Sequence, residues 1–207
     1  MRRSILISGF VGAMLVFASV GKAQEEGPTR SQEITVQGTG FFTKDSQGNG
    51  ISQHSTDTGG VLLNYRFYFN RWLGAEASYG YNRNTLQNFT PSGTLALQSN
   101  MHQATGALVV KLPWSIARLQ PYVLGGAGAL VFHPTGNAGG FVPGAQNQTK
   151  AAFVYGGGAD YILTRHVSVR LEYRGLMYGR PEFGLSSLHS GETAHTAEPS
   201  AGLGLRF

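Results

Sequence analysis

Six histidines, at positions 54, 102, 133, 166, 189 and 195, are the residues best suited to metal or acid–base chemistry, and their spacing supports neither. None shows metal-ligand spacing with a second histidine on a helix, and the absence of cysteine excludes thiolate sites and disulfides. His189, Ser190, Glu192 and His195 supply the residue types of a nucleophile, base and acid within one segment. Ser190 directly follows His189, however, and neighbours on an extended chain face opposite sides, so the cluster reads as polar loop composition. Gly125-Gly126-Ala127-Gly128 and Gly156-Gly157-Gly158 lack the phosphate-loop pattern and a following helix. Such glycines suit close packing or bending of strands. No metal, cofactor or nucleic acid is expected. The chemistry that stands out is ionic. Arg170, Glu172 and Arg174 alternate with Val169, Leu171 and Tyr173, giving one charged and one apolar face. Arg66, Glu76, Asp160, Glu198 and Arg206 take the polar positions of other segments.

The elements carrying these charges read as strands. From Ile34 onward the periodicity is two, in eight segments near 34–42, 60–69, 72–82, 101–112, 120–132, 150–163, 167–178 and 200–207. Connections after the second, fourth and sixth segments are short, around Arg71, Ser115 and Arg165. Those after the first, third, fifth and seventh are long and rich in Gly, Ser and Asn. Short turns at one end and long loops at the other are the plan of an outer-membrane barrel. Charged residues make up only 13% of the 207, and mean hydropathy is −0.13. Alternating strands average to such values, whereas spanning helices do not. The fold class is therefore all-β, an eight-stranded antiparallel up-and-down transmembrane barrel.

Ahead of the strands stands a leader. Arg2 and Arg3 precede an apolar run from Ile5 to Ala18, and Gly21-Lys22-Ala23 supplies small residues for cleavage. Residues 1–23 are expected to be a secretory signal peptide, 24–32 a short periplasmic tail and 33–207 the barrel domain. Arg2, Arg3 and Lys22 belong to the leader. The +5 net charge is thus largely a targeting feature and gives no case for nucleic-acid binding.

Alternation alone leaves sidedness open, since a soluble lipocalin-type barrel buries the same face. Three features favour apolar-out. The polar face is rich in Gly, Ala and Ser with few lysines, unlike a water-exposed wall. Aromatic residues gather at strand ends as a girdle, with Trp72, Trp114, Tyr122 and Tyr161 near the short turns and Tyr79, Tyr81, Phe132 and Phe153 near the long loops. The last strand also runs to Phe207 without a polar tail. Apolar-out places Arg66, Glu76, Asp160, Arg170, Glu172, Arg174, Glu198 and Arg206 in the lumen, where they need partners.

Three stretches carry a resemblance: Pro121–Gly128 (PYVLGGAG), Val169–Arg174 (VRLEYR) and the ending Ala197–Phe207 (AEPSAGLGLRF). With them the chain resembles the OmpA/OmpX-like family of eight-stranded outer-membrane barrels. The resemblance implies insertion by the outer-membrane assembly machinery, which reads the final strand; Leu203, Leu205 and Phe207 match that signal. It implies the bacterial outer membrane as location and its lipids, lipopolysaccharide included, as surroundings. No peptidoglycan-binding domain is expected after the last strand, so the tethering role of longer OmpA proteins is not implied. A structural or surface-interaction role without catalysis is expected, with a side-chain-filled lumen and any extracellular ligand on the long loops. The alternatives are a narrow solute channel, then a lipid A-modifying hydrolase built on the 189–195 cluster, then a soluble secreted barrel.

Overall fold

The computed structural model describes residues 32–43, 46–48, 51–55, 58–90, 93–113, 117–135, 147–179 and 193–207. The expected signal peptide, all but one residue of the expected tail, Trp114, and His189, Ser190 and Glu192 lie outside them. Ten strands run in chain order: β1 (Gln32–Thr43), β2 (Ser46–Gly48), β3 (Ile51–Ser55), β4 (Thr58–Tyr68), β5 (Leu73–Thr90), β6 (Gly93–Lys111), β7 (Leu119–Thr135), β8 (Gln148–Ile162), β9 (Val167–Gly179) and β10 (Thr193–Arg206). Eight close a ring. β4 to β10 pair in sequence, antiparallel throughout, and β1 bridges β4 and β10. At the seam Gln32 and Phe207 exchange backbone hydrogen bonds of 3.1 and 3.0 Å.

β2 and β3 are additions that the sequence reading took as loop. They form a small hairpin paired to the upper part of β5. β5 and β6 likewise continue as a paired ribbon to Thr90↔Gly93, through residues expected to be loop. These polar segments have no period-two apolar signal. Pairing with a neighbouring strand, which satisfies backbone N–H and C=O groups, is enough to extend them.

The short turns are set by side chains. Asn70 Oδ1 accepts from the backbone N–H groups of Trp72 and Leu73, both at 2.8 Å. Thr164 Oγ1 accepts from His166 and Val167 at 3.2 and 3.1 Å. Both are local side-chain mimics of a backbone turn. They fix the β4–β5 and β8–β9 registers and thereby decide which face each residue takes.

Sidedness is the reverse of a soluble barrel. Leu171 and Leu203 are 62% and 60% exposed on the outer wall, while Arg66 and Arg170 are 0% exposed inside. Within the lumen, the charged residues gather towards the short turns, where Val109 and Leu124 are also buried. The end near the long loops is packed with Phe41, Met101, Leu130, Phe132, Val154, Leu176 and Tyr178.

β7 corrects the girdle. Tyr122 and Phe132 are 2% and 3% exposed and point into the lumen, not out with the other aromatics. Apolar residues occupy both faces of this strand, so its own pattern carries no side preference. Glycines on β8 make the difference: a Cβ at Gly158 would lie 2.7 Å from the Tyr122 hydroxyl, in space the tyrosine uses. The large side chains of β7 fill what the glycines leave empty.

Candidate functional site

The site with the most chemistry is the ionic cluster inside the barrel. It is built from hairpin geometry. Arg66 on β4 stands directly opposite Glu76 on β5, and Asp160 on β8 opposite Arg170 on β9. Arg66 Nε donates to Glu76 Oε2 at 2.8 Å, with Nη2 at 2.5 Å from the same oxygen. Arg170 grips Asp160 with two parallel bonds, Nε to Oδ1 at 2.6 Å and Nη2 to Oδ2 at 3.1 Å. Two parallel bonds are the strong geometry for guanidinium and carboxylate.

The pairs are then tied across the lumen. Arg174 donates to Glu172 at 2.6 Å on its own strand, and to Glu76 at 2.6 Å and Asn64 at 3.0 Å on strands across the ring. Arg170 Nη2 reaches Glu33 on β1 at 2.8 Å, and Arg66 comes within 3.5 Å of both Asp160 and Glu172. The ring of Tyr122 lies 4.2 Å from the Arg66 guanidinium carbon, and its hydroxyl donates to Glu172 at 2.5 Å. Gln37 accepts from Asn64, whose carbonyl oxygen takes Arg174. Each guanidinium therefore neutralises carboxylates from more than one strand. This is what makes burial of three arginines tolerable.

Of the charged residues named from the sequence, the structure joins Arg66, Glu76, Asp160, Arg170, Glu172 and Arg174 in one network. Glu198 is also buried, and Gln103 Nε2 donates to its two oxygens at 3.0 and 3.2 Å. Arg206 is half-buried at the short-turn rim, 3.5 Å from Gln120 Oε1. The sequence reading missed Glu33, Asn64, Gln37, Gln103, Tyr68 and Tyr122. Asn64 shares strand parity with Arg66, and Glu33 takes the face opposite Ile34 and Val36, so alternation could have found both. Tyr122 left no such signal.

On the outer wall, Trp72, Tyr79, Phe153 and Tyr161 are exposed and Tyr81 is half-buried, in positions suited to a girdle. Leu203, Leu205 and Phe207 also face out. His195, the described member of the 189–195 cluster, sits on the outside of β10. It bonds the Tyr155 hydroxyl at 2.5 Å through Nε2.

Comparison with known proteins agrees with this architecture. No curated protein matches the chain in sequence. Among solved structures, the chain is similar to the outer membrane protein OprG from Pseudomonas aeruginosa. The identity is 16% and the TM-score 0.63, covering 86% of this chain and 95% of that one. It is also similar to Neisserial surface protein A, at 14% identity and TM-score 0.58 over 85% and 97%. A third is Ail of Yersinia pestis, solved with the heparin analogue sucrose octasulfate, at 18% identity and TM-score 0.50 over 86% and 99%. At such identities the likeness is one of fold. The family model described as the outer membrane protein beta-barrel domain matches residues 9–207. The chain belongs to that family, and it is a barrel of the bacterial outer membrane.

Proposed function

We propose that this protein is a non-conducting, non-catalytic outer-membrane barrel whose role is structural or surface-interacting. The observation that carries the reading is the lumen network. Arg66, Arg170 and Arg174 are each at most 1% exposed and join β1, β4, β5, β8 and β9 across the interior. Above it the apolar cluster fills the end near the long loops. A solute would have to separate ion pairs and displace packed side chains, which weighs against the channel alternative.

Residues 1–23 act as the export signal in this reading. Leu203, Leu205 and Phe207 present the outward apolar edge that the assembly machinery takes. Surface interaction belongs to the long connections, and the sulfated sugar bound to Ail supports looking for a polyanionic ligand there. The hydrolase alternative loses support from His195, which is engaged by Tyr155 on the outer wall.

Planar-bilayer recording tests the proposal. The wild-type barrel is expected to give no discrete conductance steps, and the triple variant Arg66→Ala, Glu76→Ala, Arg170→Ala to give them. Steady single-channel steps from the wild type would end the filled-lumen reading.

A further inference from the structure

The short-turn rim of the barrel carries cations that the lumen network does not use. Among the described residues all five carboxylates, Glu33, Glu76, Asp160, Glu172 and Glu198, are buried in the lumen. The three short turns, residues 69–72, 112–119 and 163–167, contain no Asp or Glu in their sequence. Each carries an arginine instead, Arg71, Arg118 and Arg165, with His166 beside the last. All four side chains are exposed. Hydrogen bonds join the second and third turns to each other and to the last strand. The Ile162 N–H donates to the Arg118 carbonyl at 2.9 Å, and Arg118 Nη1 donates to the Leu163 carbonyl at 3.4 Å. The Arg206 N–H donates to the His166 carbonyl at 2.8 Å. Arg118, Arg165 and His166 therefore stand on one continuous arc of the rim, over the ends of β7 to β10.

The outer wall next to this arc is apolar. Leu119 pairs with Tyr161 across β7 and β8, and Val167 with Leu205 across β9 and β10. Leu119, Tyr161, Leu163 and Leu205 are all exposed. At the first turn Arg71 lies in the chain between Phe69 and Trp72, which are exposed as well. Guanidinium groups bordering outward apolar side chains suit the boundary between hydrocarbon and water, where lipid headgroups stand. A soluble anion would use the cations and leave the apolar side chains without a role.

We propose that the short-turn rim is a recognition surface for net-negative phospholipid in the inner leaflet of the outer membrane. Arg118 and Arg165 hold headgroup phosphate, while Leu119, Tyr161, Leu163 and Leu205 meet the acyl chains. Arg71 does the same beside Phe69 and Trp72. Short turns face the periplasm in these barrels, which puts the rim at the inner leaflet. The sign of the surface selects the lipid. Phosphatidylethanolamine carries an ammonium beside its phosphate, and turns without a carboxylate give that ammonium no partner. Phosphatidylglycerol carries the negative charge alone. Glu25 and Glu26 of the expected tail enter the chain just before β1, so the test is made with them present. The inference goes beyond the role proposed above and is independent of whether the lumen is closed.

The test is native mass spectrometry on the full barrel refolded in detergent. It is titrated with phosphatidylglycerol and with phosphatidylethanolamine of identical acyl chains, so that only the headgroup differs. Phosphatidylglycerol is expected to bind about tenfold more tightly, at about fivefold for each guanidinium engaged. The double variant Arg118→Gln, Arg165→Gln should abolish that preference, and Arg118→Lys with Arg165→Lys, which keeps the charge, should retain most of it. Arg83→Gln should leave it unchanged, because Arg83 is also exposed but lies towards the long connections. Heat-dependent gel migration reports folding. Arg71→Gln alters one exposed side chain of a different turn and should lower the preference about fivefold, so it decides the matter if the double variant does not fold. Equal binding of the two lipids, or full preference in both the double variant and Arg71→Gln, overturns the proposal. Displacement of phosphatidylglycerol by an equal concentration of glycerol phosphate overturns the assignment to a lipid surface, since the soluble phosphate has no chains for the apolar wall. Channel activity with these preferences intact would remove only the filled-lumen reading.

Discussion

At the scale of single residues, Tyr122 is the side chain on which two kinds of interaction converge. Its ring lies against two guanidinium groups, with centroids 4.2 Å from Arg66 and 5.4 Å from Arg170. Its hydroxyl donates to the Glu172 carboxylate, which also takes Arg174. Tyr122→Phe keeps the ring and deletes one charge-assisted hydrogen bond. Such a bond contributes about 1.5–3 kcal/mol. Urea unfolding of the refolded barrel should register a loss in that range, and an unchanged midpoint would mean that the hydroxyl contributes nothing. Tyr122 is also where sequence reasoning failed. An aromatic residue beside a short turn suits a girdle, and only knowledge of Gly158 across the pairing reverses that assignment.

Among the elements, β9 was the most legible. Val169, Leu171 and Tyr173 face out, and Arg170, Glu172 and Arg174 face in, as strict alternation requires. The partners were legible as well, given the turns. Arg66 and Glu76 are ten residues apart across one short hairpin, and Asp160 and Arg170 are ten apart across another. A turn centred near Arg71 or Arg165 therefore places each pair face to face. The β2–β3 hairpin and the β5–β6 ribbon were not legible, because backbone pairing without a buried face leaves no periodicity to read. The outward face of β9 gives a direct measure of sidedness. Leu171→Arg puts a cation on the apolar wall and should cost about 2–4 kcal/mol, the penalty for arginine near the bilayer midplane. The comparison is urea unfolding in phospholipid vesicles. A neutral result would mean that Leu171 does not meet hydrocarbon.

For the whole molecule, the seam between β1 and β10 depends on more than backbone bonds. Glu33 on the first strand accepts from Arg170 at 2.8 Å and from Ser168 at 3.2 Å, both on β9. Closing the ring thus brings the Glu33 carboxylate to the Arg170 guanidinium. Glu33→Ala leaves Arg170 with Asp160 and a longer 3.5 Å pairing to Glu76, and truncating one member of a buried ion network costs about 3–5 kcal/mol. Slower appearance of the fast-migrating folded band, together with a lower urea midpoint, is the expected outcome. Refolding at the wild-type rate and stability would show that closure is independent of the charges. Overall architecture and strand count in the ring were readable from alternation and loop lengths. The three-dimensional wiring of the lumen was not, because it joins strands that are distant in the chain. The segregation of charge has a wider consequence. With every described carboxylate drawn inside, the described parts of two such walls meeting edge to edge would offer each other no acid for a salt bridge.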